Sequence, residues 1–349
     1  MEKKFDILTF GSITLDLFLC PREIGTHRNF FHFPIGDKIR VAKILKFAGG
    51  GAANSAVGFS KLNLRTAIFG VLGDDDDSHF IEKILREKKI ETKFLLREKN
   101  SSSSFSAILL APSGGRTVFH HRNIAVHFSE KNLRDAPPTR AIYVGHLYDE
   151  SEKMLFEIPN WQKNSEKKFF WNPGKTQFSG GFSKFKKIFP CVDAIFLNVE
   201  EAENFTGIEA EKMLESRRDN LNLFPTEKNF LGEKIWRPSE FPAEYFCDVR
   251  KIAQKFLNAG VKKIFITDGR RGAQFFDQNK NHFFVPALDE PAKNTLGAGD
   301  AFSVGAVAAI LHDEKIEHQI LWAAKNASSV VREVGAQNGQ LFFDEISKN

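Results

Sequence analysis

Short apolar runs recur along the chain, and most of them stop at a glycine or a small polar residue. Ile7, Leu8, Thr9 and Phe10 followed by Gly11 predict a buried strand that ends in a tight turn. Residues 67–71, 141–144, 169–171, 194–197 and 263–267 repeat that form. Between several of them the apolar positions fall at helical spacing instead. After the glycines at 49–51 come Asn54, Ala56, Val57 and Phe59, and after four acids at 74–77 come Phe80, Ile81, Ile84 and Leu85. Four acids before a helix suit the positive end of its dipole. Strand alternating with helix predicts an α/β fold with a central, mostly parallel sheet flanked by helices.

Two stretches depart from this rhythm. Residues 107–110 and 117–120 flank Pro112, Ser113, Gly114 and Gly115, a hairpin signal. Segments 13–47 and 101–125 therefore read as β-rich excursions, a small lid above the carboxyl edge of the sheet. Residues 208–245 carry charge with Pro225, Pro238 and Pro242, which predicts a surface insertion without its own core. No repeat divides the rest, so residues 1–349 read as a single domain.

Composition narrows the class. The hydrophobic fraction of 42% is ample for a core, and Lys plus Arg exceed Asp plus Glu by 49 − 44 = +5. So small an excess argues against a nucleic-acid track. The 36 Phe, against 3 Tyr and 4 Trp, are spread along the chain and do not form a stacking platform. Cys20, Cys191 and Cys247 lie far apart, which suits a reducing compartment. The first ten residues do not have the pattern of a signal peptide, and the apolar run 301–311 is too short to span a bilayer. A soluble, cytoplasmic protein with neither nucleic-acid nor membrane partners is expected.

The richest chemistry lies at Asn294, Thr295, Leu296, Gly297, Ala298, Gly299 and Asp300, ahead of a small-residue apolar run. Small residues let backbone N–H groups turn inward at a helix N-terminus, which makes an anion site. Such donors can steady a transferring phosphoryl group. Asp300 stands where an attacking hydroxyl would approach, and its place at a helix start predicts a lowered pKa. A glycine-rich turn capped by Asp300 satisfies the same letters. No Lys-Ser or Lys-Thr pair follows the glycines, so the turn is not a P-loop.

Residues 294–300 closely resemble the DTxGAGD signature of the PfkB/ribokinase family of carbohydrate and nucleoside kinases. Further segments agree in order: Gly11 to Asp16, the glycines and Asn54 of 49–54, Asn172 with Pro173, Asn198 with Glu201, and Thr267 to Gly272. The resemblance implies a ribokinase-like fold and ATP-dependent phosphorylation of a hydroxyl on a small sugar. A nucleoside kinase is the alternative, with Phe31, Phe33, Phe105 and Phe119 as a base-stacking wall. A non-catalytic sugar- or nucleotide-binding protein on the same fold is the other.

Carried over by residue, the resemblance makes Asp300 the catalytic base and Gly297, Ala298 and Gly299 the anion hole. Asp16, Gly49, Gly50 and Asn54 would bind the acceptor. Asn198, Thr267, Gly269, Gly272 and Asn326 would serve the nucleotide, and Glu201 would serve Mg²⁺. It also admits a homodimer formed through the lid. Local readings stand beside these roles: Asp16 closing a turn, Asn54 starting a helix, and Asn198 with Glu201 as a helix-capping pair.

Three positions depart from the pattern. Asn294 replaces the signature's first Asp, and Gly339 stands where ribokinase has Ser, so weak or absent K⁺ dependence is expected. Gly51 stands where ribokinases and sugar-phosphate kinases of this family usually carry Lys, and losing a cation beside the acceptor argues against an acceptor that already bears phosphate. Arg116, Arg122, His120 and His121 lie in the lid, where they could touch a substrate; the expectation is that they are surface-facing polar residues of the hairpin. A metal site from His120, His121 and His127 is disfavoured, because neighbours on a strand point to opposite faces.

Overall fold

The computed structural model describes residues 4–21, 25–27, 30–33, 35–111, 115–122, 124, 127–163, 165–212, 222–223, 247–287 and 293–348. In chain order the elements that build the site are β1 (Phe5–Phe10), β2 (Thr14–Pro21), β3 (Val41–Gly49), α1 (Gly51–Lys61), β4 (Thr66–Phe69) and α2 (Asp76–Glu87). They continue with β5 (Phe105–Leu110), β6 (Arg116–His121), β7 (Thr139–Val144), β8 (Lys168–Trp171), β9 (Ala194–Asn198) and α3 (Val199–Thr206). The last six are α4 (Arg250–Asn258), β10 (Lys263–Thr267), β11 (Ala273–Asp277), β12 (His282–Val285), α5 (Ala298–Leu311) and α6 (Ile316–Val331).

The large sheet runs β12-β11-β10-β9-β8-β7-β1-β4, with the two-residue strand Asn222–Leu223 on the β12 edge. Pairs from β4 through β10 are parallel, while β10 with β11 and β11 with β12 are antiparallel. The antiparallel end was not legible as strands. There, β11 and β12 follow the loop after Thr267 as a simple meander.

Strict alternation along the strands explains why this sheet is buried on both faces. Leu8, Phe10, Ile142, Val144, Phe169, Trp171, Ile195, Leu197, Ile264 and Ile266 join one core with α3 and α4. Their neighbours Ile7, Ala141, Tyr143, Phe170, Ala194, Phe196 and Phe265 join the other, with α5 and α6. The phenylalanine excess turns out to be structural. Phe205 packs edge-on against Trp171, Phe185 and Phe256 at centroid separations of 5.6 to 5.9 Å, contacts worth about 0.5–1.5 kcal/mol each beyond area burial.

Four strands form a second sheet, ordered β6-β5-β2-β3, over the carboxyl ends of the parallel strands. β2 runs parallel to β5 and antiparallel to β3, and β5 pairs antiparallel with β6. A smaller core beneath it joins Ile13, Leu15 and Ala48 to α1 and α2. The four acids resolve as helix-start residues: the Asp75 carboxylate accepts from the Ser78 N–H at 2.8 Å, capping α2. Most of the 208–245 insertion and the hairpin turn at 112–114 lie outside the described residues. The three cysteines are free. Among the described residues no helix is long and apolar enough to cross a membrane.

Candidate active site

Open α/β sheets place ligands at the carboxyl ends of their strands. Here that edge carries Gly11 and Asn172 just after β1 and β8, and Asn198 and Thr267 as the last residues of β9 and β10. A broad surface cavity lies at the opposite edge, beside Arg140, Lys168, Asp193 and Lys262, away from this cluster.

The residue before α5 is Gly297, whose φ of +81° is the left-handed conformation that glycine adopts without strain. A Cβ on Gly297 would sit 2.3 Å from that of Ala336, so the C-terminal segment closes tightly on the turn. The first intrahelical bond is from the Ala301 N–H to the Gly297 carbonyl, 2.8 Å. The N–H groups of Gly299 and Asp300 lie in the first turn, where a helix supplies no acceptor. Among the described residues, nothing outside its own helical turn comes within 4 Å of a Cβ built on Gly299.

Asp300 meets Asn54 from α1, with the Asn54 Nδ2 donating to its Oδ2 at 2.9 Å across 246 residues of chain. Burial pushes the Asp300 carboxyl up to about 6, the nearby Asp16 charge adds to this, and the Asn54 bond partly offsets it. This corrects the expectation of a lowered value, because desolvation outweighs the helix-terminus field. A base with this pKa is matched to work near neutral pH.

Asp16 on β2 is buried, and burial raises its pKa. It accepts from the Thr14 hydroxyl at 2.7 Å and from the Ser106 side chain. Gly49 faces it across the strand pair, where a Cβ would be 2.0 Å from the Asp16 Oδ2. Gly50 has φ +86° and its Cβ would strike the Ser12 carbonyl at 2.5 Å. The Ser12 hydroxyl accepts from the Gly51 N–H at 3.1 Å, which fixes the start of α1 beside Asp300. Asp300, Asp16, Gly49, Gly50 and Asn54 thus converge at one end of the cleft.

The lid residues are more engaged than the sequence suggested. Arg116 donates to the Thr295 hydroxyl, a bond between the lid and the signature turn. Burial lowers the pKa of Arg116, and no carboxylate among the described residues pairs with it. Arg122 reaches Asp149 and lies over the Tyr148 ring. His120 contacts the Ser106 hydroxyl at 3.3 Å. His120, Arg122, His146 and Tyr148 line a pocket with Ser12, Thr14 and Ser104. Of the proposed base-stacking residues, Phe31 and Phe33 stack on each other, Phe105 packs against the lid core, and Phe119 is exposed.

The nucleotide-side residues are arranged locally. Asn198 and Glu201 form a reciprocal capping box: the Asn198 Oδ1 accepts from the Glu201 N–H at 2.8 Å, and the Glu201 Oε2 from the Asn198 N–H at 2.9 Å. Burial raises the Glu201 pKa, and the Glu200 and Asp300 charges raise it further, so Glu201 lies on the Asp300 side. Thr267 ends β10 and leads into a turn closed by the Asp268 N–H to the Gly272 carbonyl at 2.7 Å, with Gly269 exposed. Asn326 is fully buried, donating to the Ala301 carbonyl and accepting from the Leu341 N–H. Its carboxamide ties α6 to α5 and does not face the cleft.

Asn294 is also fully buried. Its Oδ1 accepts from the Leu296 N–H at 3.0 Å, and its Nδ2 has no partner among the described residues. Sequence reasoning named Asn172 without a role and missed Tyr143 and Ser303, the residues behind the site. The Asn172 amide donates to the Tyr143 hydroxyl, which bonds the Ser303 hydroxyl, which donates to the Asp300 backbone carbonyl. A lone tyrosine in a buried strand was the available signal, because its hydroxyl needs a partner.

The family model for the pfkB family of carbohydrate kinases matches residues 4–232 and 241–341. The chain belongs to that family. It is a kinase, a phosphotransferase to an alcohol group, and it uses ATP. An ATP-dependent 6-phosphofructokinase of Thermoanaerobacterium thermosaccharolyticum is 24% identical, covering 96% of this chain and 90% of that protein. An Arabidopsis thaliana ribokinase solved with ribose and ATP superposes with a TM-score of 0.69 at 16% identity, covering 99% of this chain and 98% of the other. A nucleoside kinase of Methanocaldococcus jannaschii also gives 0.69, at 18% identity over 98% and 96%. Its similar structures have the ribokinase fold, and its relatives act on different acceptors.

Proposed function

We propose that this kinase transfers the γ-phosphoryl group of ATP to a hydroxyl of a small, unphosphorylated sugar, with Asp300 as the general base. The observation that carries this reading is the meeting of Asp300, Asn54 and Asp16 beside the first-turn amides of α5. Asp16 accepts hydrogen bonds from the sugar hydroxyls and sets the acceptor's orientation. Gly49 and Gly50 let the backbone pass close enough for that contact. Asp300 takes the proton as the acceptor oxygen bonds to phosphorus and the bond to the ADP oxygen breaks. The amides around Gly297, Ala298 and Gly299 hold the charge on the equatorial oxygens.

Thr267, Gly269 and Gly272 shape the loop against which the nucleotide lies. Asn198 contributes through the capping box, and Asn326 supports the α5–α6 packing behind it. Mg²⁺ would neutralise charge on the ATP phosphates. The second oxygen of Glu201 fits a role near it, since this ion often takes one carboxylate and several phosphate or water oxygens. No cluster of three or more His, Cys, Asp or Glu among the described residues offers a cage independent of the nucleotide. K⁺ has poor support: Asn294 brings no negative charge, its carbonyl oxygen already accepts from the Leu296 N–H, and its other end is an N–H donor.

A sugar is favoured over a nucleoside because none of the four proposed base-stacking phenylalanines lines the pocket beside Asp16, whose wall mixes Ser12, Thr14, Ser104, His120, His146 and Arg122 with apolar Ile13, Val71, Ile124, Phe128 and Leu147 and the Tyr148 ring. Exposed Ile44, Val118 and Phe119 on the lid are compatible with lid-to-lid pairing of two copies. An ADP-release screen over pentoses, hexoses, sugar acids, sugar phosphates and nucleosides tests the reading. Turnover of a neutral sugar is expected. Turnover of nucleosides alone would favour the alternative, and binding without turnover of any acceptor would leave a non-catalytic protein.

A further inference from the structure

Asn54 can present either end of its carboxamide to Asp300, with opposite consequences. The amino end donates to the carboxylate and favours its charged form, whereas the carbonyl end repels it. Sequence alone leaves that choice open. In the fold it is made by Gln337, in the C-terminal segment that packs on Gly297 through Ala336.

The Gln337 Nε2 lies 2.7 Å from the Ala48 backbone carbonyl, which can only accept. The atom there is therefore the amino nitrogen, and its second hydrogen points to the Asn54 Oδ1 at 3.1 Å. Asn54 has its oxygen taken, so its Nδ2 is the end that meets Asp300 at 2.9 Å. The Asn54 backbone is pinned too, its N–H donating to the Gly50 carbonyl and its carbonyl accepting from the Gln340 Nε2 at 2.9 Å. A main-chain carbonyl thus sets the polarity of a chain that runs through two carboxamides to the reactive carboxylate.

We propose that Gln337 is a positioning residue for phosphoryl transfer: it locks the Asn54 amino group onto Asp300, keeping that carboxylate oriented and ionised for the acceptor hydroxyl. The proposal rests on the reading of Asp300 as the base. Among the described residues, the other charged or titratable groups facing Asp300 are Asp16 on β2, Glu201 on α3 and the Tyr143 hydroxyl on β7. None of them is a cation, so the Asn54 amino group is the favourable contact to the charged form. Lys61 faces the other side of the segment, donating to the Gln337 and Gln340 backbone carbonyls. Burial brings Lys61 down to about 8, so its titration falls on the alkaline side.

The test is the pH profile of kcat/KM for the best sugar in Gln337→Glu and Gln337→Met. A Glu carboxylate accepts from the Asn54 amino group and turns its carbonyl toward Asp300, whereas Met removes the lock without inverting it. The acid limb is expected to move to higher pH by about one unit in Gln337→Glu and by less in Gln337→Met, with KM for ATP unchanged. Asn54→Leu should move it the same way, and Asn54→Leu with Gln337→Met should move it no further than Asn54→Leu alone.

Folded variants whose profiles superpose on the wild type would overturn the proposal, as would an additive shift in the double variant. Loss of fold in both Gln337 variants would also overturn it, by showing a purely structural role. Asp300→Asn run in parallel separates the two readings. If that variant keeps wild-type turnover, the base assignment fails. If it is inactive while the Gln337 variants keep the wild-type acid limb, Gln337 alone is eliminated.

Discussion

The two halves of the cleft are built in different ways. On the acceptor side, Asn54, Gln337 and Asp300 come from distant parts of the chain and meet through part-buried hydrogen bonds that span 246 and 283 residues, with the Asp16 charge close by. On the nucleotide side, Asn198 bonds Glu201 and Arg271 bonds Asp268, each pair three residues apart and near the surface. A local pair forms wherever its helix or turn forms. A long-range polar cluster exists only when the whole fold is in place, and any unpaired member carries a desolvation cost. Damage on the acceptor side should therefore reach the chemistry, and damage on the nucleotide side should remain local.

The largest effect should follow Asp300→Asn, with kcat falling by about 10²- to 10⁴-fold. The same variant sharpens the comparison through stability. The folded carboxyl keeps its proton up to about 6, whereas an unfolded one releases it near about 3.9. Between those values the folded state binds more protons, so wild-type stability falls as pH rises through that window. Asp300→Asn should melt above the wild type at pH 7 and converge with it below pH 4, as thermal unfolding across pH would show. A melting temperature lower than wild type at pH 7 would contradict the buried, charged acid.

Gly49→Ala comes next. The added Cβ would be 2.0 Å from the Asp16 Oδ2 and displace a carboxylate held by Thr14 and Ser106. Misplacement on this scale costs about 10²-fold, expected in kcat/KM for the sugar with KM for ATP little changed. An equal loss against both substrates would erase the distinction between the halves.

Asn198→Ala should cost about 1 kcal/mol of stability by removing the cap of α3, read as a lower melting temperature. Its activity loss should fall well short of that in Gly49→Ala. A collapse of turnover would show that the local pair reaches the chemistry after all. The smallest effect concerns cations: replacing Na⁺ by K⁺ should leave kcat unchanged, given the Asn294 geometry. Strong activation by K⁺ would mean that the buried amide turns its carbonyl inward.

Much of the fold was legible because parallel strands buried on both faces must be short, continuous and apolar. Ile142, Tyr143 and Val144 announce a strand whatever surrounds them. β11 and β12 were not, because Gln274 and His282 interrupt their apolar pattern and bond each other across the antiparallel pair. Among site residues, Asp300 and the glycines before it stood out by local spacing. The environment of Asp300 did not, and its pKa direction was misjudged because helix position is written in sequence while burial and the Asp16 charge are not.

By itself, the sequence determined the alternation of strand and helix, the glycine-rich turn and the capping pairs, because propensity, periodicity and i,i+3 bonding act over a few residues. Tertiary structure alone decided which carboxylate would be desolvated, which end of Asn54 would meet it and that Asn326 would face inward. Those outcomes depend on groups from distant segments entering one low-dielectric space, where each hydrogen bond fixes the polarity of the next.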